Sequence, residues 1–363
     1  MTIFKKNKIL IATGGTGGHV FPAYSLAKNL IKNNYDVEIV TDKRGFKFLK
    51  KYKDLKLTIN SSSTIFKKNF FNIIWSIFII FFSYLKSLLI LLRAKPQLVF
   101  GMGGYASFPV CLASKTLSIP FIIYENNLLL GKSNKYLMSL TSKVFLAYED
   151  VEGIEEKFKS KLVVTGNIIR DEILKFDNKK KYSSKELNIL ILGGSQAAKS
   201  FGEFLPEIFK QCIQENIQIN IIQQCIESQN NKLNEYYKNL KINFELFNFT
   251  DNILKYFSRT ELVITRSGSS VTGELINCKI PFISIPFPFS ADLHQDKNAV
   301  YFEKKGYSFL VKENEVDKKL FPLIKLIYND KEILTKLIEK QKKHSDTNVF
   351  YKINKEIKNL INE

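Results

Sequence analysis

Four glycine-bearing turns hold most of the residues in this chain that could do chemistry. They are Thr13–His19 (TGGTGGH), Gly101–Tyr105 (GMGGY), Leu192–Ala198 (LGGSQAA) and Thr265–Glu274 (TRSGSSVTGE). Each follows a short apolar run that reads as a strand and precedes a helical pattern. Glycine lets the backbone approach a ligand and adopt positive φ. A helix starting there presents backbone N–H groups and the positive end of its dipole to a phosphate. One such turn is weak evidence, because strands often end in glycine for packing alone. Four of them point to a phosphate-bearing ligand. The first turn also ends in His19, one of only three histidines. An unperturbed imidazole titrates near neutral pH, so this residue could take a proton from a hydroxyl; it could equally cap the helix that follows.

The spacing narrows the ligand. The first turn is not G-x-G-x-x-G, no acidic residue completes a NAD fingerprint, and no turn has the G-K-[ST] of a P-loop. There is no D-x-D, and no His/Asp cluster suited to a metal. The reading that remains is a diphosphate held by backbone N–H groups, with no metal and no cofactor expected.

The elements that must position these turns alternate along the chain. KILIAT, VEIVT, QLVFG, PFIIYE, KVFLAY and KLVVTG read as strands, most of them followed by helical stretches. A polar, lysine-rich interval follows, with DNKKKYSSK at its heart, and then a second series: LNILILGG, IQINIIQ, INFELFNF, ELVITRSG and IPFISIPFP. This is the signature of βαβ units and parallel sheets. It predicts two doubly wound α/β domains, 1–166 and 187–345, joined by a linker over 167–186. A C-terminal helix over 346–363 could pack back on the first domain. In such folds ligands bind at the carboxyl ends of the strands.

Composition agrees with two domains, since single cores seldom grow beyond roughly 250–300 residues and this chain has 363. Lys plus Arg exceed Asp plus Glu by 54 − 35 = 19. Such an excess suits nucleic acid, an acidic membrane surface or phosphates. The lysines are scattered, and no interleaved basic and aromatic patch or nucleic-acid module is visible, so no nucleic acid partner is expected. Four cysteines without a C-x-x-C pair fit a reducing cytosol, and the run ILIA near the N-terminus is too short for a signal peptide. The stretch Phe70–Arg93 is nearly long and apolar enough to span a bilayer. Asn72, Ser76, Ser83, Lys86 and Ser87 interrupt it, and a span would divide one domain across the membrane. It is expected to pack one face on the domain and lay the other, with Trp75, Phe78 and Phe82, on an anionic membrane surface. Lys67, Lys68, Lys86 and Arg93 flank that face.

Taken together, GGTGGHVFP, GMGGY, YENN with GKSNKYL, GNIIR, GGSQAA, TRSGSSVTGE and HQDKNA resemble, in order and spacing, the MurG family of UDP-N-acetylglucosamine transferases. The resemblance runs from about Lys8 to Ala299. It implies a GT-B fold of two Rossmann-like domains facing a cleft, with the acceptor side N-terminal and the donor side C-terminal. It implies an inverting transfer of GlcNAc from UDP-GlcNAc to the C4 hydroxyl of lipid I, giving lipid II for peptidoglycan, by a peripheral enzyme on the cytoplasmic face of the inner membrane. His19 becomes the candidate general base, with Glu125 a rival base or an orienting partner. Thr16, Gly17 and Gly18 would line the acceptor side, and Asn127 would contact sugar. Arg170 would contact the nucleotide, Ser195 the diphosphate, and Thr250 uracil through its backbone. Ser269, Ser270, Val271 and Thr272 would meet the diphosphate, Glu274 the ribose, and Gln295 the GlcNAc hydroxyls; Arg266 would hold its loop. The chain departs from the family at Tyr124 and Asn126, where His and Gln are usual, at Ala197, where glycine is, and at Ser269 and Val271, where Ala and Thr are more frequent. Other readings are another GT-B enzyme, such as a UDP-GlcNAc 2-epimerase or a glycolipid synthase, and a non-catalytic nucleotide-sugar-binding subunit.

Overall fold

The computed structural model describes residues 6–15, 17–61, 70–178 and 185–362, without the side chains of 70–73, 195–198 and 362. Thr16, Lys67 and Lys68 therefore lie outside the described residues, as does the Ser195 side chain. The chain divides into two compact units, Met1–Asp171 with Asp346–Glu363, and Glu172–Ser345.

The first unit is built on seven parallel strands: β1 (Lys8–Ala12), β2 (Asp36–Thr41), β3 (Lys56–Ile59), β4 (Leu98–Gly101), β5 (Phe121–Glu125), β6 (Lys143–Leu146) and β7 (Leu162–Val164), in the order β3-β2-β1-β4-β5-β6-β7. The second has six: β8 (Leu187–Leu192), β9 (Ile219–Gln224), β10 (Asn243–Phe247), β11 (Leu262–Thr265), β12 (Phe282–Ser284) and β13 (Ser308–Leu310), in the order β10-β9-β8-β11-β12-β13. Central strands are covered by helices on both faces, so they read as continuous apolar runs. Every residue of β4, β5 and β11 is buried. The edge strands β3 and β10 keep only half-buried or exposed positions.

Strand order reverses at the β1/β4 boundary in the first sheet and at β8/β11 in the second. Those are the points where helices leave on opposite faces and open a crevice at the carboxyl ends. All four glycine turns follow these four strands.

Two features differ from the sequence expectation or extend it. The first unit continues past 166, because Ile168 donates its N–H to Tyr124 Oη (3.0 Å) and Asn167 donates its own to Asp346 Oδ1 (2.9 Å). Buried Asp346 thereby ties the returning chain to the end of the first unit, and the terminal helix Val349–Asn362 packs there, with Asn354 Nδ2 on Asn29 Oδ1 at 2.8 Å. The helix Phe70–Ala94 is long and apolar enough to cross a membrane, yet the strands before and after it, β3 and β4, lie in one sheet. It therefore does not divide the domain. Its polarity is inverted. Ser76, Ser83 and Ser87 are buried, and Asn60 Nδ2 reaches Ser83 O (3.1 Å) and Ser87 Oγ (2.8 Å). Trp75, Phe78 and Phe82 stand 65%, 54% and 63% exposed.

Candidate active site

In the first unit, β1 delivers the chain into the first glycine turn, and the helix Gly17–Lys32 starts two residues before His19. Thr13, fully buried, donates its hydroxyl to His19 O (3.1 Å) and fixes the backbone there. Pro22 has no N–H, so the carbonyl four residues back loses its helical partner. That carbonyl, Gly18 O, accepts instead from Asn126 Nδ2 (3.2 Å), linking the turn to the end of β5.

The turn GMGGY makes room for the imidazole. Gly103 and Gly104 both have positive φ, 82° and 72°. A Cβ on Gly103 would stand 3.4 Å from His19 Cε1, and one on Gly104 3.4 Å from Cδ2 and 3.5 Å from Nε2. The histidine ring thus lies along the bare backbone of the second turn.

Glu125, 3% exposed, closes β5. Its Oε1 accepts from Asn127 N (3.0 Å) and Asn127 Nδ2 (3.1 Å); its Oε2 accepts from Gly131 N (2.8 Å) and Asn134 Nδ2 (2.9 Å). A carboxylate has about four lone-pair sites, and here four donors occupy them. The group organises the loop Asn126–Gly131. Asn134, buried in the short helix Lys132–Leu137, also donates to Tyr124 O (3.0 Å) and locks the same corner. Asn127 Nδ2 meets Asn126 Oδ1 as well (3.0 Å). Tyr124 donates its hydroxyl to Gly166 O (3.2 Å), so the segment GNIIR is pinned to β5, and the Arg170 guanidinium lies over the Phe21 ring, 6.0 Å from its centroid.

In the second unit, β11 ends in Arg266 and the helix Ser269–Asn277 begins after Gly268. Thr272 N–H closes the first intrahelical bond on Gly268 O (3.1 Å). Its hydroxyl turns back to the same carbonyl (3.0 Å). The amides ahead of it point out of the helix N-terminus, where an anion is favoured. Glu274 lies one turn further on, half-buried. Arg266, buried between the Phe201 and Phe287 rings, donates to Ile285 O, Pro286 O and Ser200 Oγ and pairs with Glu313. Burial lowers its affinity for a proton and Glu313 opposes that. It braces the loop after β12.

That loop leads to Gln295, in the first turn of the next helix. Its Oε1 accepts from Phe287 N (3.0 Å), and two consecutive left-handed residues, Asp292 (φ 52°) and Leu293 (φ 56°), turn the chain into the helix His294–Lys304. His294 Nδ1 bonds Ala291 O at 2.7 Å. Thr250, in the loop after β10, accepts Asn252 N–H at 3.1 Å. Gly194, φ 67°, begins the helix that follows β8 and donates to Gln224 Oε1 (3.1 Å).

Three supporting residues escape a reading of motifs. Asp42 bonds the first glycine turn through Gly15 N (3.0 Å), Asn134 holds Glu125, and Asn298 donates to Ser267 O (3.0 Å) before the second-unit helix. Asn134 and Asn298 sit inside quoted motifs, and their burial is the signal that identifies them. Nothing local marks Asp42. The amino ends of the first sheet carry a separate basic depression of about 650 Å³, lined in part by Lys8, Lys56, Arg93 and Lys95. Two of its cations are paired, Lys8 with Glu38 and Lys56 with Asp36, and it lies at the end of the strands opposite the glycine turns.

Residues 9–146 match the family model of the Glycosyltransferase family 28 N-terminal domain, and residues 188–357 that of the Glycosyltransferase family 28 C-terminal domain. A UDP-N-acetylglucosamine–N-acetylmuramyl-(pentapeptide) pyrophosphoryl-undecaprenol N-acetylglucosamine transferase of Pelagibacter ubique is 35% identical over 360 residues, covering 98% of this chain and 99% of that one. The crystal structure of Acinetobacter baumannii MurG superposes with a TM-score of 0.77 at 25% identity, over 97% of this chain and 99% of that chain. A UDP-N-acetylglucosamine 2-epimerase structure shares the fold, with a TM-score of 0.67 at 14% identity over 97% and 95% of the two chains.

Proposed function

The chain belongs to glycosyltransferase family 28, and we propose that it moves GlcNAc from UDP-GlcNAc to lipid I, the undecaprenyl-pyrophosphoryl N-acetylmuramyl-pentapeptide, to form lipid II. The observation that carries this reading is the whole-length identity to a transferase of that name, joined to a histidine laid against two left-handed glycines at the carboxyl ends of β1 and β4. Epimerases share the fold at low identity, which favours no activity by itself.

The reaction is an inverting displacement: the acceptor's C4 oxygen bonds to the anomeric carbon as the bond to UDP breaks. His19 takes the hydroxyl proton. Glu125, its lone pairs occupied, serves as the positioning residue that holds Asn127 toward the sugar. The negative charge on departing UDP is met by the N-terminus of the helix Ser269–Asn277 and by the turn at Gly194, so the chemistry is expected to run without a metal. Glu274 accepts from the ribose hydroxyls. Gln295, with Oε1 taken by Phe287, offers its Nε2 donors to a GlcNAc hydroxyl. Arg170 and the backbone at Thr250 complete the contacts to the nucleotide.

The helix Phe70–Ala94 supports work at a membrane surface. Its buried serines and exposed aromatics are the reverse of a soluble amphipathic helix. An exposed apolar face of this kind marks an interaction site, and a polyprenyl-linked acceptor sits in a bilayer. We place the enzyme on the cytoplasmic face of the inner membrane as a peripheral protein. The reading is tested by incubating purified protein with labelled UDP-GlcNAc and a lipid I analogue: label should pass to the acceptor, and label that stays in nucleotide or free sugar would defeat it.

A further inference from the structure

We propose that Arg44 is a binding residue of the first glycine turn and that its ligand is the diphosphate of the acceptor. The proposal rests on the transferase reading above. Asp42, 6% exposed, precedes the helix Lys43–Leu49 as its cap. Its Oδ1 accepts from Gly45 N (2.7 Å) and Gly15 N (3.0 Å), and its Oδ2 accepts from Arg44 Nε (3.2 Å). One buried carboxylate thus joins three things: the glycine turn after β1, the helix after β2, and a guanidinium.

The rest of that guanidinium faces outward. The Arg44 side chain is 66% exposed. Its Nη2 stands 3.9 Å from where a Cβ on Gly15 would be, and Gly15 has φ 82°. Among the described residues the two Nη groups meet no protein acceptor. An ordinary surface arginine spends rotamer freedom to bind anything. This one is already anchored through Nε, with its planar fork beside the bare backbone of the turn. Such a fork matches two phosphate oxygens at once.

Two diphosphates take part in the proposed reaction. Arg44 lies within the N-terminal family domain, in the unit that carries His19, while the residues assigned to UDP, Arg170 excepted, lie in the other unit. The acceptor diphosphate is therefore the ligand, and Arg44 sets affinity for the acceptor while leaving the displacement itself alone.

The test uses the full chain, labelled UDP-GlcNAc and a short-chain lipid I analogue. Absence of transfer by the unaltered protein would overturn the transferase reading itself. Given transfer, Arg44→Gln should raise KM for the acceptor about tenfold to a hundredfold, the loss expected of charge-assisted hydrogen bonds, with kcat and KM for UDP-GlcNAc within about twofold. Arg44→Lys, which keeps charge but not the fork, should recover part of the loss. Added salt should raise the acceptor KM of the unaltered protein more steeply than that of Arg44→Gln. An unchanged acceptor KM overturns the proposal. So does a rise confined to UDP-GlcNAc, which would hand the residue to the donor, or a parallel shift of kcat and both KM values with a lowered Tm, which would make it structural.

Discussion

His19 is expected to carry the proton transfer, so His19→Ala should lower kcat about 10²–10⁴-fold, as removal of a general base does. UDP affinity, measured by calorimetry, should stay near that of the unaltered protein. Turnover at the normal rate would remove His19 from the mechanism. Glu125→Gln separates a base from a positioning residue. A glutamine amide cannot accept on both atoms, so one side of the four-donor arrangement around Glu125 fails. Thermal stability should fall along with kcat, but the pH at which kcat rises should not move. Disappearance of that limb would make Glu125 the base. Glu274→Ala should weaken UDP binding by roughly 1.5–3 kcal/mol, the worth of hydrogen bonds to a charged group; equal affinity would contradict the ribose assignment. His19 and Glu274 were legible because they sit in glycine turns that stand out in the sequence, while Arg44 lies in no such turn. Asp42 was not legible either, since it meets Gly15 only because β1 and β2 pair, a contact 27 positions apart in the chain. The glycines of GMGGY read as phosphate binders, and two of them, Gly103 and Gly104, also leave space for the His19 imidazole, which no spacing within that turn could indicate.

At the scale of elements, the helix Phe70–Ala94 divides into two faces that predict opposite outcomes. Trp75→Lys, Phe78→Lys and Phe82→Lys each alter an exposed position. They should leave the circular dichroism spectrum intact and turnover of a soluble acceptor unchanged, and should weaken binding to phosphatidylglycerol vesicles. Ser87→Leu should do the reverse. Ser87 is fully buried and bonded to Asn60, so overpacking should cost roughly 1–3 kcal/mol of stability. Neutralising Lys86 or Arg93 should cost about 1 kcal/mol of vesicle affinity each at low salt. Vesicle binding indifferent to all three lysine substitutions would remove the helix from the membrane. The sequence made this helix conspicuous by its apolarity, but apolarity has no direction. Which face is packed follows from three serines that meet the domain, and a hydropathy profile counts those as mere interruptions.

Over the whole molecule, the doubly wound architecture was readable because central parallel strands, buried on both faces, leave uninterrupted apolar runs. The edges were not. KLTI of β3 and SFL of β13 are short and partly exposed, and neither stands out from a loop. The return of the chain over 346–363 to the first unit agrees with the sequence reading, but the end of that unit at Asp171, past the expected 166, was not legible, because Asp346 holds Asn167 there across 179 positions. If glycine turns and helix N-termini stabilise departing UDP, the complete enzyme should keep its activity in EDTA; loss on chelation, restored by magnesium or manganese, would put a cation where this account puts backbone N–H groups. The most direct single measurement is the structure of the product. Purified protein, UDP-GlcNAc and a soluble lipid I analogue are incubated together and the carbohydrate is followed by NMR. The account predicts a new β-linked disaccharide, GlcNAc on the C4 oxygen of the acceptor, formed in step with UDP and only when the acceptor is present. An epimerised nucleotide sugar arising without acceptor, or an α-linked product, would contradict it.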